Sequence, residues 1–226
     1  MGRYKGIVFD LDATLVHSDV DFVKMKKNMI RVLEEHGAPI GVLTPKMTTV
    51  VILENAEKYW VEQGKPEKDR QWLREEMTRL MDQVEIEAIE TLTAINGVKD
   101  AIHKLRMMGY RLAILTRSHH NYAVKALGKV GIIGDFELIL GRGETPQPKP
   151  YAEAMIHVAK LMKLGLDEVF LVGDHHIDAT SALNAKCYFI GVATGLPPER
   201  AWEINKPEII LPSVADLPDY LEAHDK

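Results

Sequence analysis

Gly6-Ile7-Val8-Phe9-Asp10-Leu11-Asp12-Ala13-Thr14-Leu15 is the stretch whose reading decides the fold. Ile7, Val8 and Phe9 make the short apolar run expected of a strand buried on both faces, as in a parallel sheet. Asp10 stands where that strand ends, and ligand sites in open α/β sheets lie beyond the carboxyl ends of strands. Asp12 points to the same side as Asp10 if the extended geometry persists. Two acids on one side repel unless a proton or a cation lies between them, and Mg²⁺ takes hard oxygen ligands. The stretch reads as a nucleophilic or metal-binding carboxylate site.

Beyond it the texture changes. From Val20 to Ile95 glycine is sparse and the apolar spacing is helical, with no convincing strand. Phe22, Met25, Met29, Val32 and Leu33 mark an amphipathic helix ending at Gly37, with Asp19 and Asp21 at its start. Thr44-Pro45 predicts a second helix, Thr44 as N-cap, running through Tyr59 and Trp60 to Gly64; Pro66 opens a third. After Asn96-Gly97, helical segments alternate with short apolar runs: a strand to Leu115, one at 136–140, one at 168–172, one at 187–192 and a last at 209–211. That alternation predicts parallel βαβ units. The fold expected is α/β, a Rossmann-like parallel sheet flanked by helices. Residues 1–16 and 96–226 form the core, and residues 17–95 form an inserted all-helical domain.

The 226-residue length fits one large domain or two small ones, and a net charge of −5 speaks against nucleic acid as the main partner. The single cysteine, Cys187, allows no internal disulfide and reads as an inert buried thiol. The first apolar run is too short for a signal peptide or membrane span. Met1-Gly2 starts like a myristoylation signal, but position 6 is Gly rather than Ser or Thr. A cytoplasmic protein with no membrane partner is expected.

Four predicted strand ends carry polar groups that a parallel sheet would gather along one edge. The first offers Asp10 and Asp12, with Thr14 close behind; the second, Thr116-Arg117-Ser118. The loop after the third carries Lys149, and the fourth offers Asp174 with Asp178 one helical turn on. Acids hold a divalent metal, while a lysine and a hydroxyl stabilise an anion. An anion that needs both is most simply a phosphate.

Asp10-Leu11-Asp12-Ala13-Thr14-Leu15, Thr116, Lys149-Pro150 and Gly173-Asp174-His175-His176-Ile177-Asp178 resemble, in order and spacing, the four motifs of the haloacid dehalogenase superfamily. The helical insertion is similar to the C1-type cap of its phosphoglycolate phosphatase-like members. The resemblance covers essentially the whole chain and implies a Mg²⁺-dependent phosphatase acting on a small phosphorylated metabolite, as a monomer or homodimer. It implies Asp10 as nucleophile, forming an aspartyl-phosphate, and Asp12 as general acid, then base. Thr116 and Lys149 would hold the phosphoryl group. The metal would bind Asp10, the Asp12 carbonyl and Asp174, with Asp178 a direct or supporting ligand. An acid at Asp12 favours phosphoryl chemistry over dehalogenation, whose members lack one there.

Ala13 stands where the family most often has glycine, so a slight backbone adjustment is expected there. Arg117 replaces the more usual Asn and reads equally as a contact for an anionic substrate or as a solvated arginine. His175-His176 and His119-His120 suggest either a transition-metal site or polar loop residues. Trp60, Trp72, Tyr59 and Met25, Met29, Met77 and Met81 read as helix packing. Arg31, Lys46, Arg70, Arg74 and Arg79 could meet an anionic group or face water, and Lys24, Lys26 and Lys27 look like a solvated face. A phosphomutase using the same intermediate and a non-catalytic phosphate-ester-binding regulator are the alternatives.

Overall fold

The structure, a computed structural model, describes residues 3–224, so the reading at Met1-Gly2 lies outside the described residues. Six strands form one parallel sheet in the order β5-β4-β1-β6-β7-β8. They are β1 (Gly6–Phe9), β4 (Arg111–Leu115), β5 (Leu138–Leu140), β6 (Val169–Gly173), β7 (Tyr188–Val192) and β8 (Ile210–Leu211). The helices beside them are α4 (Val98–Met107), α5 (His120–Val130), α6 (Ala152–Leu161), α7 (His176–Ala185), α8 (Pro198–Ala201) and α9 (Leu217–His224).

The side chains explain why β1 is central. Val8, Ala113, Leu115, Val169 and Leu171 pack in one cluster with Met155 and Val158 of α6 and Ala182 of α7. Alternate residues on the opposite face (Ile7, Phe9, Leu112, Ile114, Phe170 and Val172) are equally buried. A sheet covered on both faces needs such near-continuous apolar strands. Each Val, Ile, Leu or Phe so buried stabilises the fold by about 1.5–3 kcal/mol. Chain order then positions the site. From β1 the sheet grows one way through β4 and β5, and the other way through β6, β7 and β8. The order reverses beside β1, so the carboxyl ends of β1, β4 and β6 border the crevice where ligands bind in such sheets.

Two compact units divide the chain: one up to Ser18 and from Ile89 onward, which holds the sheet, and one of Asp19–Ala88. The second contains α1 (Phe22–Glu35), α2 (Thr49–Glu62) and α3 (Glu67–Ala88). Met25, Met29, Met77, Met81 and Trp60 are buried, as packing residues should be. Trp72 is half exposed, with its ring 5.1 Å from that of His36. Asp21 caps α1 by accepting from the Lys24 amide at 2.8 Å.

Three expectations need correction. Thr44-Pro45 opens a turn closed by Met47 N donating to the Thr44 carbonyl, and α2 begins later, capped by Thr48. Proline suits the second position of a turn as well as the first of a helix, which is why the dipeptide misleads. The segment read as free of strands contributes β3 (Thr93–Ala94), antiparallel to β2 (Val16–His17). Two-residue strands carry too little pattern to detect. The helix expected over 151–164 stops at Leu161; Lys163 turns left-handed at φ +54°, and Leu164 N closes back onto the Ala159 carbonyl. Among the described residues, no helix is long and apolar enough to cross a membrane.

Candidate active site

Asp10 follows β1, and its amide donates to the Val172 carbonyl at 2.9 Å, fixing it beside the end of β6. Asp174 follows β6 directly, and Asp178 lies in the first turn of α7. Carboxylate oxygens of Asp10, Asp174 and Asp178 all lie within 4.8 Å of one another. Lys149, buried, reaches in from the loop after β5 and donates to Asp10 Oδ1 and Asp178 Oδ1, each at 2.6 Å. Thr14, also buried, donates to Asp174 Oδ1 at 3.1 Å. The fold therefore brings Asp10, Lys149, Asp174 and Asp178 together from far apart in sequence, while no contact of Thr116 with this cluster is seen among the described residues.

Two glycines let this cluster close. A Cβ on Gly195 would sit 1.9 Å from Asp174 Oδ2, and one on Gly173 would sit 2.6 Å from Asp178 Cγ. No side chain fits at either position without displacing an acid of the cluster. Ala13 departs from expectation in the other direction. It takes the left-handed conformation outright, φ +57°, held by its amide on the Val16 carbonyl (2.8 Å) and its carbonyl under Thr194 Oγ1 (2.5 Å).

The electrostatics are unbalanced. Three buried or half-buried acids face one lysine. Burial pushes Asp10 up to about 7; Lys149 opposes this and Asp178 adds to it. Burial, then Asp10 and Asp178, also raise Asp174 well above the ordinary carboxylate range. Burial works against the Lys149 ammonium, but Asp10 and Asp178 outweigh it and hold its pKa up. The lysine gains from two acids at once, whereas the acids must share one lysine. A divalent cation among Asp10, Asp174 and Asp178 would cancel the remaining charge. An all-oxygen, all-carboxylate donor set suits a hard ion such as Mg²⁺.

Asp12 is placed differently. Its side chain lies outside that trio, and Ser18, Ser118 and Tyr122 donate hydroxyl hydrogen bonds to it. Thr116 is buried, and its Oγ1 accepts from the Ser118 amide at 3.1 Å. Arg117 is half-buried rather than solvated. Burial lowers its pKa, Asp178 and Asp10 counter that, and Arg142 adds to the lowering, so its charge is felt by the acid cluster.

The histidine pairs resolve as local structure. His175 and His119 each stand at a helix N-cap and accept from the amide two residues on. Burial, then His176, pull His175 down to about 4, so its imidazole is neutral. The metal-competent cluster found among the described residues is made of aspartates. In the helical unit, Arg31, Arg70, Arg74 and Arg79 are engaged by Glu35, Glu57, Glu67 and Glu76. Cys187 is buried with Sγ 3.1 Å from the Val169 carbonyl, and burial pushes its thiol up to about 12, which leaves it inert.

Sequence reasoning named Thr14 and Ser118 without a role and passed over Ser18 and Tyr122. Ser118 precedes the extended His119 N-cap and Tyr122 lies in the first turn of α5, so no helical spacing links the two and no local signal marks Tyr122.

Known proteins are similar to this chain in sequence and in fold. Residues 7–192 match the family described as haloacid dehalogenase-like hydrolase. The phosphoglycolate phosphatase of Escherichia coli K12 is 26% identical over 229 residues, spanning 94% of this chain and 90% of the relative. A hydrolase from Pseudomonas syringae shares the fold with a TM-score of 0.67 at 18% identity, covering 98% of this chain and 100% of that one. A family hydrolase from Deinococcus radiodurans R1, solved with bound phosphate and sodium, aligns with a TM-score of 0.60 at 18% identity, covering 99% of this chain and 97% of that one.

Proposed function

This chain belongs to the haloacid dehalogenase-like hydrolase family, and from that premise we propose that it is a Mg²⁺-dependent phosphatase of a small phosphorylated metabolite. The observation that carries the reading is the buried cluster of Asp10, Asp174 and Asp178 around Lys149 at the strand ends. Phosphoryl transfer needs mostly positioning and charge stabilisation, and this cluster supplies both.

Asp10 is the nucleophile. Its carboxylate attacks phosphorus and becomes an aspartyl-phosphate, splitting one hard step into two easier ones. Lys149 holds Asp10 in place and meets the negative charge of the phosphoryl oxygens, with Thr116 and Arg117 as further contacts. Asp12 gives a proton to the leaving oxygen and takes one from the hydrolytic water. Asp10, the Asp12 main-chain carbonyl, Asp174 and Asp178 would hold Mg²⁺, which supplies charge neutralisation at the phosphoryl group. The unit Asp19–Ala88 serves as the cap that excludes water and selects substrate.

Hydrolysis of p-nitrophenyl phosphate with Mg²⁺ tests the reading. Activity should fall by at least on the order of a thousandfold in Asp10→Asn. Equal activity in both proteins rejects the nucleophile. A panel of phosphorylated metabolites then names the substrate, with phosphoglycolate included because the relatives carry it in their names.

A further inference from the structure

Asp12 sits in a grip that the reading above does not use. Tyr122 OH donates to its Oδ1 at 2.5 Å and Ser18 Oγ donates to the same atom at 2.7 Å. Ser118 Oγ donates to Oδ2 at 2.9 Å. The three hydroxyls come from separate places: Ser18 just after β2, Ser118 in the turn after β4, and Tyr122 in the first turn of α5. A carboxylate offers about four lone-pair sites. Both on Oδ1 are occupied, and one on Oδ2, so a single site on Oδ2 stays open.

A buried tyrosine usually finds some partner for its hydroxyl, and that bland role is open to Tyr122, which is fully buried. It does not account for three hydroxyls converging on the one acid that lies two residues from the nucleophile. Nor does it account for a pattern that fills one oxygen and leaves the other half open.

We propose that Tyr122 is a positioning residue that, with Ser18 and Ser118, orients Asp12 so that Oδ2 is its proton-transferring atom. The proposal rests on the aspartyl-phosphate reading above. In the first step Asp10 attacks phosphorus and the bond from phosphorus to the leaving oxygen breaks. That oxygen takes the proton from Asp12 Oδ2, leaving a carboxylate held by the hydroxyls. In the second, water attacks phosphorus and gives its proton to the same Oδ2. The bond to Asp10 breaks, phosphate leaves, and both acids are restored. Ser118 keeps its own lone pair on Oδ2 throughout, so the grip survives both protonation states.

The test compares kcat/KM for two esters, since kcat/KM reports events up to departure of the leaving group. p-Nitrophenolate leaves with little help from an acid, whereas phenolate needs the proton. Tyr122→Phe keeps the buried ring and removes one donor. Its kcat/KM for phenyl phosphate should fall on the order of tenfold, and that for p-nitrophenyl phosphate should stay within about twofold. An equal fall for both esters, or none for either, overturns the proposal, because a merely structural role has no reason to distinguish leaving groups. Asp12→Asn is run alongside. If it shows the leaving-group dependence and Tyr122→Phe does not, the positioning role alone fails. If Asp12→Asn itself shows none, the acid reading fails and the proposal falls with it. Should Tyr122→Phe not fold, Ser118→Ala removes the donor on Oδ2 and is read in the same way.

Discussion

Lys149 meets Asp10 and Asp178 inside the sheet-bearing unit, where its side chain is 1% exposed and that of Asp178 is 4% exposed. Arg70 and Arg74 meet Glu57 and Glu67 in the helical unit, where the two glutamates are 31% and 63% exposed. The pairing chemistry is the same and the physics is not. The outer network is balanced, two cations to two acids, and water screens it. The inner one sets three acids against Lys149, with Arg117 further countering Asp10 and Asp178, and has little water to absorb the excess. Balanced and exposed, a network tethers α2 to α3. Unbalanced and buried, it has a use for a ligand of opposite charge, which is what a metal site requires.

Removing Lys149 should separate the two networks most widely. Lys149→Met leaves carboxylates buried without their cation, a change that destabilises by about 3–5 kcal/mol. Urea unfolding in EDTA measures it. A loss below about 1 kcal/mol would place the inner network with the surface pairs.

The excess charge also predicts a pH dependence opposite to the usual one for paired acids. Asp10 is raised from 3.8 to about 7 by burial, so the metal-free folded state binds its proton more tightly than the unfolded chain. Stability from this group is full below about 4 and is lost as pH rises through about 7, by on the order of 4 kcal/mol. Unfolding midpoints in EDTA, wild type against Asp10→Asn, should diverge across that window. Saturating Mg²⁺ should flatten the slope and add about 2.7 kcal/mol at a hundredfold excess over Kd. Equal slopes with and without Mg²⁺ would remove the metal from the cluster.

What the sequence made legible follows the same division. Strand ends that bear acids after apolar runs, as at Phe9-Asp10 and Gly173-Asp174, announce themselves because burial and charge change within one residue. The sheet, its helices, Asp10 and Asp174 were readable for that reason, whereas Lys149 in a loop and Asp178 in a helix were given their roles through the motif resemblance. Tyr122 and Ser18 were not, because a tyrosine on an amphipathic helix and a serine before one look like packing and surface. Their role depends on a partner some 110 positions away for Tyr122, which no local pattern carries. Thr44-Pro45 failed through degeneracy, since the same dipeptide starts turns and helices. At Ala13 the sequence suggested only a slight backbone adjustment, while Val16 and Thr194 hold it fully in the left-handed conformation.

That imposed conformation gives a smaller effect. An L-residue other than glycine in the left-handed region costs roughly 1–2 kcal/mol. Ala13→Gly relieves it and gives back part of the gain through a more flexible unfolded chain, so a net stabilisation of about 1 kcal/mol is expected. Its thermal midpoint should rise while the hydroxyl grip on Asp12, read through leaving-group dependence, is unchanged. A fall in stability would mean that the contacts at Val16 and Thr194 have made the alanine cheap to hold.

The smallest effect belongs to the outer network. Glu57 accepts from Arg70 at 2.6 Å and from Arg74 at 2.9 Å, geometry as close as that of Lys149 with its acids. Distance alone would rank the two networks together. Exposure separates them, because water already solvates much of the charge and each long side chain loses freedom in pairing. Glu57→Gln should therefore cost less than about 1 kcal/mol, measured by urea unfolding at low salt. The difference should shrink further as ionic strength shortens the screening length to a few ångströms near 1 M salt. A salt-insensitive loss above about 2 kcal/mol would show that Glu57 is desolvated like Asp178, and that burial of the site rather than its charge imbalance is what the two networks fail to share.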